Sequence, residues 1–275
     1  MFNAGQIWAK IARIRVHLLY LSYPIVTILL AMLVWTAVVW AFKMPNYILP
    51  YPVAVAKDLW AQGAFLIGHM WVTLYSTLLG FAIAIIAGAF AAILIVSSKT
   101  MERAFMPLMV FAQTFPKIAI APLFVIWFGF GIIPKVVVAT LICFFPIIIN
   151  TSVGLASVEN DMVDLISSMA ATKWQVFTKV RIPNALPYFF SALKISITLA
   201  LIGAIVGEFV ASDEGLGYLI LVYEANLMTS NLFATMTVLV LMGALLFYMI
   251  IGIENIFLPW QRAKQELGTT VSVTA

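Results

Sequence analysis

Side chains able to do acid–base, nucleophilic or metal chemistry are sparse in this 275-residue chain, so their surroundings decide what they can do. Glu208, in IVGEFVAS, and Lys117, beside Pro116, stand in apolar surroundings where an ionised group is costly. Glu208 has two readings: a gate facing a wet path, or a carboxylate that hydrogen-bonds the backbone of the nearby segment from Ser212 to Gly217. Lys117 either lines a path or fills a break in a helix. No second ionisable group stands at usable spacing from either, so support for a proton relay is weak. His17 and His69, the only histidines, flank a long apolar run, which excludes an HExxH metal site. The chain contains no Walker A, GxGxxG or GxSxG pattern, so it is not read as an enzyme and no cofactor is assigned to it. If it moves something with ATP, a partner must bind the nucleotide. The single Cys143 cannot form a disulfide within the chain and reads as a small buried side chain.

A second kind of chemistry is written in the stretch from Asp164 to Pro187, DLISSMAATKWQVFTKVRIPNALP. It is a long polar interruption that carries helical periodicity, basic charge and turn residues together. Leu165, Ile166 and Met169 fall at helical spacing, Ala170, Ala171, Thr172 and Lys173 make a turn, and Trp174, Phe177 and Val180 mark a second short helix ending at Pro183. Two short amphipathic helices with an apolar stripe, in a wet loop, need a cover. One such helix alone would suit a membrane surface, whereas a helix–turn–helix favours a groove on a partner protein.

The elements that position these residues are membrane helices. Hydrophobic residues make up 64% of the chain and charged residues 9%, and the mean hydropathy is +1.10. A soluble domain of this length would expose apolar surface at that composition. Apolar runs of about 20 residues, too long for barrel strands, predict an all-α integral membrane protein with about six spans. They are placed near residues 20–42, 71–96, 104–128, 135–156, 187–211 and 232–258 of a transmembrane domain covering 20–258. The first is read as a retained helix rather than a signal peptide, because its apolar core is too long and no A-x-A pattern follows. Segments 1–19 and 259–275 flank the domain, and the polar loop occupies 157–186.

Counting Lys and Arg loop by loop gives ten on the side of the N-terminus (Lys10, Arg13, Arg15, Lys99, Arg103, Lys173, Lys179, Arg181, Arg262, Lys264) against Lys43, Lys57 and Lys135 opposite. Positive-inside bias then puts both termini and the polar loop in the cytoplasm. The net charge of +4 is explained by this topology, with no need for nucleic acid.

Small residues indicate where helices approach one another. Gly80, Ala84, Gly88 and Ala92 recur every four residues in the second span, and Gly203 and Gly207 mark the fifth. The third span is punctuated by Pro107, Pro116 and Pro122, with Gln113, Thr114, Phe115 and Lys117 between them, which predicts a kinked or interrupted backbone. That interruption is either a wall of a translocation path or a simple kink.

The polar loop resembles the cytoplasmic loop of binding-protein-dependent ABC import permeases, with the pattern E-A-A-x3-G-x9-I-x-L-P. Asp164 takes the place of the Glu, Leu165 and Ile166 of the two Ala, Ala170 of the Gly, and Val180, Ile182 and Pro183 of the terminal I-x-L-P. Ala170 departs from the pattern by removing the flexible turn residue. The resemblance runs from about Leu49 to Trp260, through LPYPVAVAKDLW, PKIAIAPLFVIWFGFG, FFPIIINTSVGL and GEFVASDEGLGYLI. It is to the subgroup importing nitrate, sulfonates, taurine and thiamine-pyrimidine or riboflavin-type precursors, with a preference for aromatic vitamin precursors.

The resemblance implies a type I importer permease in a bacterial cytoplasmic (inner) membrane, working as a homodimer. It further implies two cytoplasmic ABC ATPase subunits that hold ATP-Mg and receive the loop, and an extracytoplasmic substrate-binding protein. Two other classes stay open on the residues alone: an ion-coupled secondary transporter, which would need intramembrane ligands and often internal repeats, and a structural membrane subunit.

Overall fold

The computed structural model describes residue 23 and residues 25–260, and every regular element among them is helical. The expected segment 1–19, with His17, and all but the first two residues of the expected segment 259–275 lie outside the described residues. In chain order the helices are α1 (Ile25–Ala41), α2 (Pro52–Ala61), α3 (Gly63–Val96), α4 (Lys99–Thr114), α5 (Ala121–Phe128), α6 (Ile132–Ala156), α7 (Asn160–Ser168), α8 (Lys173–Val176), α9 (Ile182–Ala211), α10 (Leu216–Ala225) and α11 (Thr229–Phe257). A 3₁₀ turn, Lys117–Ile120, joins α4 to α5, and a π turn, Phe177–Arg181, joins α8 to α9.

Among the described residues α3, α6, the α8–α9 run and α11 are each long and apolar enough to cross a bilayer. The α4–α5 pair makes a fifth span if its 77° bend is counted inside one crossing. The expected first span appears as the 17-residue α1 in its described part. Helix α10, a ten-residue apolar helix, falls inside what the sequence reading treats as one break from Ser212 to Asn231. Its apolar run is too short to register as a span.

The chain divides into two compact units. The first holds the described residues up to 63 together with 223–234. Within it the rings of Trp35 and Phe233 lie 5.4 Å apart, Thr229 Oγ1 donates to the Tyr47 carbonyl at 2.6 Å, and the Tyr223 hydroxyl donates to Gln62 Oε1 at 2.7 Å. Proline at the start of α2 suits its first turn, where no backbone donor is needed.

The second unit holds residues 64–222 and the described residues from 235 on, and is centred on α6. Fully buried Ala139 sits between two glycines: a Cβ on Gly80 of α3 would lie 2.6 Å from the Ala139 Cβ, and one on Gly203 of α9 would lie 2.6 Å from its Cα. Gly88 is placed the same way against Ile147, and Gly207 against the backbone of Lys135. These contacts stack backbone on backbone where lipid offers no hydrophobic drive for association. Buried Cys143 and Ser196 add a reciprocal link, Sγ donating to the Ser196 carbonyl at 3.1 Å and Oγ to the Cys143 carbonyl at 3.4 Å.

Candidate functional site

The polar loop folds as two helices with different duties. α7 carries Asp164, Leu165 and Ile166 and ends at Met169 and Ala170. Ala170 has φ +58°, the left-handed conformation that glycine adopts without cost. The chain therefore makes the sharp turn even though alanine replaces the glycine of the family pattern. Ala171 follows, and Thr172 then opens α8 with a capping box: its hydroxyl accepts from the Gln175 N–H, and the Gln175 side chain accepts from the Thr172 N–H.

The apolar stripe splits here. Leu165, Met169 and Trp174 are 64%, 76% and 70% exposed, whereas Val176 and Val180 are each 7% exposed. Phe177 packs on Val96, Leu155 and Ala185. Phe177 and Val180 thus anchor the loop on its own helices, which corrects the expectation that the whole stripe waits for a partner. Pro183 does not end the second helix either. It lies in the first turn of α9, after the π turn, so Lys173–Ala211 is one helical run of 39 residues. Proline there supplies no N–H, and the wider turn at Phe177–Arg181 absorbs the missing bond. Ile182 is exposed at the same junction.

The proline-rich third span is broken. α4 stops at Thr114, Phe115 caps it in an extended conformation, and Pro116 leads into the 3₁₀ turn. Lys117 Nζ donates to the Gln113 carbonyl at 2.7 Å, filling one of the acceptors the helix end leaves open, and lies 4.8 Å from the Phe145 ring centroid. Gln113 and Phe115 are exposed, and no residue of α4 is buried.

Glu208, 1% exposed, is the centre of a clamp. Its Oε2 accepts from the Gly217 N–H at 2.7 Å and from Thr73 Oγ1 at 3.1 Å, and Thr73 Oγ1 in turn accepts from the Leu216 N–H at 2.9 Å. His69 Nδ1 accepts from the Gly215 N–H at 3.0 Å. The open N–H groups at the start of α10 are therefore satisfied by α3 and α9. Gly215 has φ +110°, and a Cβ there would run into the Glu208 carboxyl. Ser212 closes the same turn, donating to the Glu214 carbonyl and accepting from the Glu214 N–H. Lys135 lies within electrostatic reach of Glu208. This geometry matches the loop-bonding reading of Glu208.

Two charged residues escape the sequence reading altogether. Lys194 Nζ on α9 lies 2.9 Å from Glu254 Oε2 and 3.1 Å from Oε1 on α11, both side chains being largely covered. Glu254 is the one charge in the run of α11, while Lys194 shares the run of α9 with Glu208; the signal is that these two runs hold charges of opposite sign. Thr73 and His69 were missed because their partners lie more than 140 residues away. Among the described residues no group of three or more His, Cys, Asp or Glu could hold a metal ion.

The family model for the binding-protein-dependent transport system inner membrane component matches residues 80–263. The chain belongs to that family. This family match runs from the middle of α3 through α11 and takes in the loop and the Glu208 side of the clamp, while His69 and Thr73 lie just before it. The permease is 37% identical over 88% of its length to the formylaminopyrimidine transport permease protein ThiX of Halalkalibacterium halodurans, covering 96% of that protein. It is 34% identical over 86% of its length to the riboflavin transport system permease protein RibX of Chloroflexus aurantiacus, covering 89% of it. It is 31% identical over 79% of its length to a putative aliphatic sulfonates transport permease of Bacillus subtilis, covering 80% of it. A chain of the inward-facing MetNI methionine ABC transporter superposes with a TM-score of 0.59 at 20% identity, over 72% of this permease and 97% of that chain, which shows a shared fold.

The protein is thus an inner-membrane permease subunit of an ABC importer for small solutes, with a type I importer fold. The family assignment does not favour the ion-coupled carrier or the structural subunit.

Proposed function

We propose that the permease forms the translocation path for a small heteroaromatic vitamin precursor of the pyrimidine or flavin type, handed over by an extracytoplasmic binding protein and driven by two ATPase subunits docked on the α7–α8 loop. The loop carries this reading: Leu165, Met169 and Trp174 stand exposed on a frame fixed by Val176, Phe177 and Val180. A short apolar helix held at a fixed angle suits insertion into a partner's groove. The chain has no nucleotide-binding motif of its own, so ATP-Mg belongs on the partner. The substrate preference rests on the names of two similar permeases, for formylaminopyrimidine and riboflavin.

In this reading two copies of the permease enclose the path, and the broken α4–α5 segment with Gln113, Phe115, Pro116 and Lys117 is its candidate wall. α4 buries nothing in its own chain, which suits a surface waiting for a second copy. Alternating access then needs two arrangements of similar energy, biased by ATP and by loaded binding protein. Glu208 acts on the path indirectly, through the segment it holds.

The test is reconstitution with the ATPase subunits encoded beside this chain. Leu165→Glu with Met169→Glu should abolish co-purification while membrane insertion persists. Stable association of that double variant would overturn the docking assignment. Uptake of labelled pyrimidine precursor, riboflavin, taurine and nitrate in parallel decides the substrate class.

A further inference from the structure

Between the end of α3 and the loop helices lies a cavity of about 630 Å³. Its charged lining residues are Lys173 and Arg181, with the hydroxyls of Ser97 and Ser167 and no carboxylate among them. Neither cation has an ion pair or a side-chain hydrogen bond among the described residues, where Lys194–Glu254 is the one salt bridge. Ser97 and Ser167 donate to their own helix carbonyls, at 2.7 and 2.6 Å, so the two cations would carry an anion placed here. The rest of the lining is apolar, including Ile93 and Val163.

A second feature runs into this cavity. Ile83, Ile86, Phe90 and Ile93 are exposed and recur on α3 at steps of three, four and three, which puts them on one face. The next step on that face is Ser97, at the cavity. The track is about 15 Å long, from ten residues at a rise of 1.5 Å. Positive charge and hydroxyls at one end, with an apolar groove-and-track leading away at the point where the apolar run of α3 stops, fit a molecule with an anionic head and a hydrocarbon tail. A nucleotide or a free anion would leave the track unused.

We infer that this cavity binds the phosphate headgroup of an anionic phospholipid, with an acyl chain laid along Ile83, Ile86, Phe90 and Ile93 of α3. The ligand would touch Lys173 and Trp174 on the loop's second helix and Val163 on its first, so it would brace the hinge between them. The inference is separate from the proposed ATPase docking at Leu165 and Met169, which do not line the cavity, whereas Trp174 belongs to both surfaces.

Native mass spectrometry of the full chain, purified in detergent and exposed to phosphatidylglycerol, phosphatidylcholine or inorganic phosphate, tests it. Phosphatidylglycerol should be retained on the order of tenfold more than phosphatidylcholine, as expected for two cations meeting an anionic headgroup. Lys173→Gln with Arg181→Gln should remove that preference. Val163→Trp, which narrows the cavity and leaves both cations in place, should lower retention of phosphatidylglycerol; size-exclusion profiles matching the parent protein establish that each variant is folded. Equal retention of the two lipids, or unchanged retention in both variants, overturns the site. Displacement of bound lipid by millimolar inorganic phosphate overturns the lipid assignment and leaves a phosphate site.

Discussion

Lys194 on α9 and Glu254 on α11 form an ion pair at 2.9 Å, near two stacked rings, Phe190 and Phe257, whose centroids are 6.1 Å apart. The charges face each other across two long apolar helices, where a single charge would have no partner. Their side chains are 25% and 16% exposed, so the pair lies between the buried and surface regimes.

Removing one member leaves the other uncompensated. Glu254→Ala should lower stability by about 1–3 kcal/mol, between the values for exposed and buried pairs. The double variant Lys194→Met with Glu254→Met should recover most of that loss. Thermal unfolding in detergent of the two singles and the double measures the coupling.

Ala170 adopts φ +58° at the turn between α7 and α8, and glycine would do so without the Cβ penalty. Ala170→Gly should stabilise the loop by roughly 1 kcal/mol, and Ala170→Val should destabilise it by more. Hydrogen exchange across residues 164–176 would show stronger protection in the glycine variant and weaker protection in the valine variant.

The glycines of α3 and α9 give contrasting expectations. Gly203→Ala forces a Cβ to 2.6 Å from the Ala139 Cα, a backbone atom that cannot rotate away, and should cost about 1–3 kcal/mol by overpacking. Gly68, on the same helix as Gly80, has nothing within 4 Å of its would-be Cβ, and Gly68→Ala should gain roughly 0.5–1 kcal/mol. Melting temperatures of the two variants measured side by side should move in opposite directions.

The clamp at α10 separates charge from hydrogen bonding. Glu208→Ala leaves the Gly217 N–H and the Thr73 hydroxyl without their acceptor, and Thr73→Val leaves the Leu216 N–H without its own. Each should cost about 1–3 kcal/mol per stranded group and raise proteolysis between Ser212 and Gly217. Glu208→Gln keeps one acceptor oxygen and should be cut at a rate close to the parent. Equal cleavage in all three variants would sink the clamp as the holder of this segment.

Much of this could be read from residues alone because its causes are local. Apolar runs set the long helices, and Pro107, Pro116 and Pro122 foretold the break in the third span, seen as a 77° bend. Thr172 and Gln175 spell a capping box three residues apart. What escaped depends on chain segments meeting across long separations. Lys194 and Glu254 look like isolated charges until α9 meets α11, and nothing near His69 in the sequence points to Gly215, whose N–H it accepts. Phe177 and Val180 share helical spacing with Trp174, but only the ends of α3, α6 and α9 determine that they face inward. Helix α10 does not stand out in the sequence because its ten residues are too few to register as a span.

The π turn at Phe177–Arg181 lets α8 of the loop run on into α9, whose far end carries Glu208. From Lys173 to Ala211 the run is 39 residues, about 58 Å at 1.5 Å per residue, with Trp174 near one end and Glu208 near the other. A continuous helix can carry torque: a twist applied to the loop would pass towards the α10 turn, with two places on the way able to take it up, the widened turn at Phe177–Arg181 and Pro187 inside α9, which leaves a backbone bond unmade. Phase along this helix, rather than displacement of any side chain, would then be what the loop and the α10 turn share.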